Sequence, residues 1–327
     1  MYRSILNFKD TQVAIKQVKD YFQKELAEAL NLMRVTAPLM VVPESGLNDC
    51  LNGTERPVQF DLLETGADVQ IVQSLAKWKR FALGKYGFAP GEGLYTDMNA
   101  IRRDEDLDNL HSTYVDQWDW EKIIDRHDRN LDFLKMTVRN IMKALKETEK
   151  ELDIIFENLE PFIREDVYFI TAQELEDRYP DMTPKEREYT ITKEHKTVCI
   201  MQIGDILSSG QKHDGRAPDY DDWSLNGDIL IYYPILDCAV EISSMGIRVD
   251  AKALQEQLKK ADCEERLTLP YHQMLLHDEL PLTIGGGIGQ SRICLILLNK
   301  AHIGEVQVSQ WSDDMIAECE RHHIYLL

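Results

Sequence analysis

The chain has 327 residues, 43% of them hydrophobic, which is enough for a substantial core and allows one large domain or two. A formal net charge of −20 and a pI near 4.9 set it against the phosphate backbones of DNA and RNA, so a general nucleic-acid role is not expected, although local cationic pockets remain open to it. No apolar run approaches membrane-spanning length, the first ten residues lack a signal-peptide core, and the six cysteines are scattered without a C-x-x-C pair; a reduced, cytoplasmic protein with no membrane partner is expected.

Taken in chain order, Ile15, Val18, Phe22, Leu26 and Leu30 recur at steps of three or four and predict a helix over roughly residues 10–30. Leu32–Val35 reads as a strand leading to Pro38. Val58–Leu63 and Val69–Gln73 read as a hairpin, and Leu75–Leu83 as a helix. Tyr95–Arg102 and Ser112–Asp119 are two strands joined by the charged loop Arg103–Leu110. A long amphipathic helical region, with room for one break, covers Asp128–Asn158. Val167–Thr171 and Thr197–Ile203 are strands with a helix between them. Asp228–Leu236 and Cys238–Val249 are strong strands on a tight connection, followed by helices at Ala251–Lys260 and Leu269–His277. A glycine-rich segment, a helix and a last strand, Glu305–Trp311, complete the pattern. Consecutive strands on short loops imply antiparallel pairing, so the expected fold is α+β, a mainly antiparallel β-sheet flanked by α-helices.

The segment Gly285-Gly-Gly-Ile-Gly-Gln-Ser-Arg292 stands before the apolar stretch Ile293–Leu298. Glycines permit a strand-to-helix turn that presses backbone against a flat ligand, and Arg292 could meet a triphosphate; a purely structural turn is the competing account. The dinucleotide fingerprint would need Gly at Gln290, and the Walker loop would need a Lys-Ser/Thr pair after the last glycine, so neither fits. Arg102 and Arg103 stand where a strand enters a loop, either as a phosphate clamp or as solvated charge. Alternation along Tyr114–Trp120 puts Val115, Gln117 and Asp119 on one face, suited to an amino-acid ligand or simply a polar outer face.

On the predicted helix, Lys77 and Arg80 share a side while Lys79 points elsewhere; any of the three is a candidate for a substrate carboxylate. The acids of Arg216-Ala-Pro-Asp-Tyr-Asp-Asp-Trp223, with Asp228 and Glu241, suit Mg²⁺ or an acidic solvated loop. Glu241 and Ser243 share a strand face, and Arg248 reaches that face only if Gly246 hosts a bulge. No nucleophile–base pair stands out. Cations, carboxylates and glycine turns are an inventory for adenylation, where positioning and charge stabilisation do the catalysis.

In this order the pieces resemble a class II aminoacyl-tRNA synthetase catalytic core: Val35–Pro38 as its first, dimer-forming motif, the Arg102–Tyr114 hairpin as its second and Gly285–Arg292 as its third. Within that group the chain is similar to the ammonia-dependent asparagine synthetases, the aspartate–ammonia ligases. The blocks carrying the resemblance are Ser74-Leu-Ala-Lys-Trp-Lys-Arg80, Gly91-Glu-Gly-Leu-Tyr95, Tyr114–Glu121, Arg216–Trp223, Leu225–Leu230 and Glu241–Asp250.

The resemblance implies a single adenylating domain over residues 1–327 that uses ATP and Mg²⁺ to turn L-aspartate and ammonia into asparagine through β-aspartyl-AMP, and a homodimer through the Pro38 region. It implies that Arg102 and Arg292 hold phosphates and act catalytically, with Asp49 orienting ammonia or taking a proton from ammonium. Ser74, Lys79, Gln117, Asp119 and Arg248 would grip aspartate. Asp228, Glu241, Ser243, Ser244, Gly287 and Gly289 would line the nucleotide, and Asp228, Glu241 and Asp221 would face the metal. An aspartyl-tRNA synthetase would call for an anticodon domain and a cationic face, a glutamine-dependent enzyme for a second domain with a nucleophilic Cys, and a non-catalytic relative for the loss of some of these residues.

Overall fold

The computed structural model describes residues 2–51 and 55–327. Helix α1 (Phe8–Leu30) starts on Asn7, whose side chain accepts from the Asp10 N–H, and ends at Asn31 in the left-handed region (φ 57°). Then come β1 (Leu32–Arg34), β2 (Met40–Val41), β3 (Gln59–Asp61), β4 (Asp68–Ile71), α2 (Ala76–Tyr86), β5 (Gly93–Ile101), β6 (Tyr114–Ile123) and α3 (Leu131–Ile155). The rest runs β7 (Tyr168–Thr171), α4 (Ala172–Arg178), α5 (Pro184–His195), β8 (Thr197–Met201), β9 (Asp221–Tyr233), β10 (Cys238–Arg248), α6 (Ala251–Lys260), α7 (Pro270–Leu276), β11 (Thr283–Gly289), α8 (Gln290–Leu297) and α9 (Asp313–Arg321).

Eight strands form one sheet in the order β1-β5-β6-β11-β10-β9-β8-β7, and β2-β4-β3 form a small second sheet. The centre is antiparallel, as expected from the short connections. Both edges are parallel: β1 pairs with β5 and β7 with β8. The β7–β8 pair is joined by a long crossover that holds two helices where one was expected; Thr171 and Thr183 each open a helix with a capping box.

Alternation along β6 divides the molecule. Trp118 and Trp120 are fully buried on one face, where Trp118 meets Phe22 of α1 at a centroid distance of 4.8 Å. Helices α1, α3 and α8 contribute to this core. The opposite face carries Gln117 and Asp119. Replacing Trp118 by alanine is expected to cost about 3–5 kcal/mol in denaturant unfolding, the usual range for a buried aromatic; a loss near zero would show that this face does not hold the fold.

Several expectations are corrected. The glycines do not make a turn: they are strand β11 itself, with α8 following directly. Helix α3 is unbroken. Strand β9 starts at Asp221, so part of the acidic loop is sheet. Glu305–Trp311 is not a strand. Glu305 accepts from the His302 N–H in a capping box that winds Ile303–Glu305 into a 3-10 turn, and α9 follows.

Candidate active site

The polar face of β6, β11, β10 and β9, closed at the sides by α2, the β5–β6 loop and residues 214–221, encloses a cavity of about 500 Å³. Every residue to which the resemblance gives a role lines it: Asp49, Ser74, Lys79, Arg102, Gln117, Asp119, Asp221, Asp228, Glu241, Ser243, Ser244, Arg248, Gly287, Gly289 and Arg292. Strand β11 forms its floor and is glycine for want of space. A methyl group at position 285 would strike the Glu121 carboxylate and come within 2.6 Å of the Arg248 guanidinium, and one at 287 would strike the Gln117 amide.

One end is built around Lys79. This buried ammonium leaves α2, ion-pairs with Asp119 and donates to the Gly286 carbonyl at 2.9 Å. Burial, reinforced by Arg248, holds it below its usual range against the pull of Asp119. Oxygen Oδ2 of Asp119 is buried without a partner among the described residues. Lys77 and Arg80, the other two candidates, turn away: Lys77 pairs with Asp219 at 3.0 Å, and Arg80 donates to the carbonyls of Pro281 and Val249.

Arg248 depends on the bulge. The bulge lies earlier than Gly246: between Glu241 and Ser243 strand β10 carries one residue more than β9, which brings Ser244, Gly246 and Arg248 to the cleft face, while between Gly246 and Arg248 the extra residues belong to β9 and the ladder to β11 is regular. Arg248 lies between two carboxylates, Glu121 (Nη2–Oε2 2.7 Å) and Asp221. Burial would raise the Glu121 carboxyl, but Arg248 and Lys79 outweigh it and hold it below its ordinary range.

Asp221 therefore departs from its expected place on an acidic metal rim. One of its oxygens meets Arg248 and the other lies 3.4 Å from Nε of Arg216. Its charge is taken up by two arginines.

At the other end Arg292, in the first turn of α8, donates to the Glu241 carbonyl at 2.9 Å. Arg102, just past β5, lies 4.0 Å from Glu105, and its Nε is buried without a partner among the described residues. Asp228 pairs with Arg216 at 2.9 Å. Burial, with Glu241 adding to it and Arg216 opposing, pushes the Asp228 carboxyl up to about 7. Asp228 and Glu241 are thus the two neighbouring carboxylates with capacity to share a cation, a donor set that suits Mg²⁺ alongside phosphate oxygens. Among the described residues, one group of three ligand types close enough for a single ion, Asp125, His127 and Asp128, is the turn before α3 and does not line the cavity.

Asp49 is 2% exposed and accepts from the Ser74 hydroxyl at 2.7 Å and the Leu51 N–H at 2.9 Å. Ser74 thus holds Asp49 as well as lining the cleft. Three lining or supporting residues lie in the blocks that carry the resemblance but were given no role from the sequence. Glu121 was available, since alternation extends the Gln117–Asp119 face to it. Arg216, which begins the acidic block, is 7% exposed on its side chain and braces Asp228, Asp221 and Ser244. Tyr220 lies under Arg248, 5.6 Å from its guanidinium carbon.

A family model described as aspartate-ammonia ligase matches residues 9–323. An aspartate–ammonia ligase of Ruminiclostridium cellulolyticum is 63% identical over 327 residues, covering 100% of this chain and 97% of its own length. One from Levilactobacillus brevis is 59% identical, covering 100% and 98%. Among solved structures, asparaginyl-tRNA synthetase from Pyrococcus horikoshii, complexed with asparaginyl-adenylate, matches with a TM-score of 0.67 at 14% identity over 91% of this chain and 68% of that one. Aspartyl-tRNA synthetase from Entamoeba histolytica matches with a TM-score of 0.62 at 15% identity over 93% and 59%. At such identity these structures speak for the fold, a class II aminoacyl-tRNA synthetase-like core, whereas the whole-chain matches at about 60% identity go further: this chain belongs to the aspartate–ammonia ligase family.

Proposed function

We infer that this protein is an ATP-dependent ligase that joins L-aspartate and ammonia into L-asparagine through β-aspartyl-AMP, releasing pyrophosphate and AMP. The observation that carries this reading is one cavity with an amino-acid-sized set of charges at one end (Lys79, Asp119, Arg248) and two phosphate-seeking arginines (Arg102, Arg292) at the other.

Asp119 takes the substrate ammonium, using the Oδ2 that has no partner, while Lys79 takes a carboxylate in exchange for its present ion pair. Arg248 spends N–H groups on Glu121 and Asp221 and retains others on Nη1 and Nη2 for a carboxylate. Gln117, packed over Gly287, fixes the plane of the ligand. A β-carboxylate oxygen then attacks the α-phosphorus of ATP, and the bond to pyrophosphate breaks. Arg102 and Arg292 offset the charge on the transferring group. Mg²⁺, held by Asp228 and Glu241, would supply neutralisation of pyrophosphate charge. Asp49 takes one proton from ammonium; the ammonia nitrogen then bonds to the acyl carbon, the acyl–oxygen bond to AMP breaks, and the nitrogen's second proton passes to solvent. Ser243 and Ser244 border the nucleotide.

Residues 1–327 act as one catalytic domain in this reading. Exposed Met33, Leu39, Met40 and Val42, grouped around Pro38, support a homodimer. No described helix is long and apolar enough to cross a membrane; with the acidic charge, this supports a cytoplasmic enzyme without a nucleic-acid partner.

The test is aspartate-dependent exchange of labelled pyrophosphate into ATP, then addition of ammonium or glutamine without tRNA. Exchange, with asparagine and AMP formed on ammonium alone, supports the ligase; exchange without asparagine points to another acceptor, and no exchange removes the adenylation. Lys79→Ala is expected to raise KM for aspartate by about 10–100-fold, the scale of a lost charge-assisted hydrogen bond, and to leave KM for ATP nearly unchanged. An effect confined to ATP would move Lys79 out of the aspartate subsite.

A further inference from the structure

A second cavity, about 570 Å³, lies between the start of α1 and the last residues of the chain. Its walls are mainly apolar, from Leu6, Phe8, Tyr325 and Leu327. Within it is Lys300, 2% exposed. The ammonium donates to two neutral hydroxyls, Ser4 Oγ at 2.6 Å and Thr11 Oγ1 at 2.9 Å. Among the described residues no carboxylate lies within 4.0 Å of it. Glu305 also lines the cavity but is already engaged: it accepts from the Tyr2 hydroxyl at 2.8 and 3.0 Å and from the N–H groups of Ala301 and His302 at 2.9 and 3.2 Å. Glu305 is near enough to act on the ammonium through space, but a buried cation with a donor left over and only neutral hydrogen-bond partners lacks what buried charges normally have, a hydrogen-bonded counter-charge. Arg3 adds a positive charge to the lining.

We propose that this cavity binds a small amphiphilic carboxylate, its anionic head on Lys300 and its apolar body against Leu6, Phe8, Tyr325 and Leu327. The site stands apart from the aspartate and nucleotide subsites yet shares a wall with them. Lys300 and Glu305 face the second cavity; Ile303 and Gln307, from the same short stretch, line the first. Gln307 accepts from Ser112 at 2.5 Å and donates to Ser291 at 3.1 Å, and Ser291 is the neighbour of Arg292. The Lys300 carbonyl is tied to the sheet by the Tyr233 hydroxyl at 2.5 Å. The two cavities therefore share a braced turn. Burial pushes the Lys300 ammonium down from its ordinary range against the weaker pull of Glu305; a bound carboxylate would bring it back up.

Octanoate is the probe, titrated calorimetrically into the full-length protein with a non-hydrolysable ATP analogue filling the first cavity. One octanoate per chain is expected. Octanol, equal in length and uncharged, should bind at least about tenfold more weakly, as should octanoate to Lys300→Met, since each comparison removes a charge-assisted hydrogen bond. The octanol comparison needs no variant, so it decides the matter even where Lys300→Met does not fold. No binding by octanoate, or equal binding of octanol and octanoate, overturns the proposal. Neither result bears on aspartate adenylation, which pyrophosphate exchange reads separately.

Discussion

Replacing Arg292 by alanine is expected to slow aspartate-dependent pyrophosphate exchange by about a hundred- to a thousandfold, the scale on which a single preorganised donor to developing charge contributes. The expectation follows from placement. Arg292 stands in the first turn of α8, directly behind the glycine floor, and its guanidinium is aimed by the Glu241 carbonyl at 2.9 Å into the end of the cavity that also holds Arg102. Its aliphatic stem lies against Gly289, where an added Cβ would come within 3.3 Å of it, so the side chain has little room to turn elsewhere. The variant should fold normally, because the arginine satisfies no buried charge of its own. Exchange at the native rate in a folded Arg292→Ala protein would remove this residue from the phosphate-binding machinery.

Arg248→Met is expected to cost stability as well as activity, about 3–5 kcal/mol in denaturant unfolding, because it leaves the Glu121 and Asp221 carboxylates buried with their shared cation gone. The pH dependence gives a sharper check. In the native protein Glu121 is held below its ordinary range, so its ionised form contributes stability that is present above the unfolded pKa and lost as pH falls through the folded one. In the variant burial is no longer opposed by Arg248, and the folded pKa of Glu121 rises, so the cost grows with pH. The gap between the two proteins should therefore narrow as pH falls from neutral toward about 4.3, the ordinary Glu value. A gap that stays constant over that range would show that the Glu121–Arg248 pair does not govern the stability of the site.

The candidate residues were legible in the sequence to an uneven degree. Gly285–Arg292 stood out because only glycine leaves space for Glu121 and Gln117, so the steric demand is written in composition; that the glycines form a strand was hidden by the same feature, since glycine carries no β-pattern. Arg248 could be assigned to the cleft only through a bulge, and the one in β10 falls between Glu241 and Ser243, not at the expected Gly246. Pairings between distant positions had no local signal: Lys79 with Asp119, Arg216 with Asp228 and Arg248 with Glu121 arise when α2, β6, β9 and β10 are brought together. Asp221 looked like a metal ligand for the same reason, its arginine partners being invisible in one dimension. Around Glu305 the local hydrogen bonds of a capping box overrode the alternation of Val306 and Val308 that reads as strand.

The measurement that bears most directly on the β-aspartyl-AMP account is the fate of heavy-oxygen label placed in the side-chain carboxylate of aspartate. Turnover with ATP and ammonium is predicted to move one labelled oxygen from aspartate into the phosphate of AMP, with the other retained in the asparagine amide carbonyl. AMP free of label, with asparagine still formed, would contradict attack by the β-carboxylate on the α-phosphorus and with it the roles given to Arg102 and Arg292.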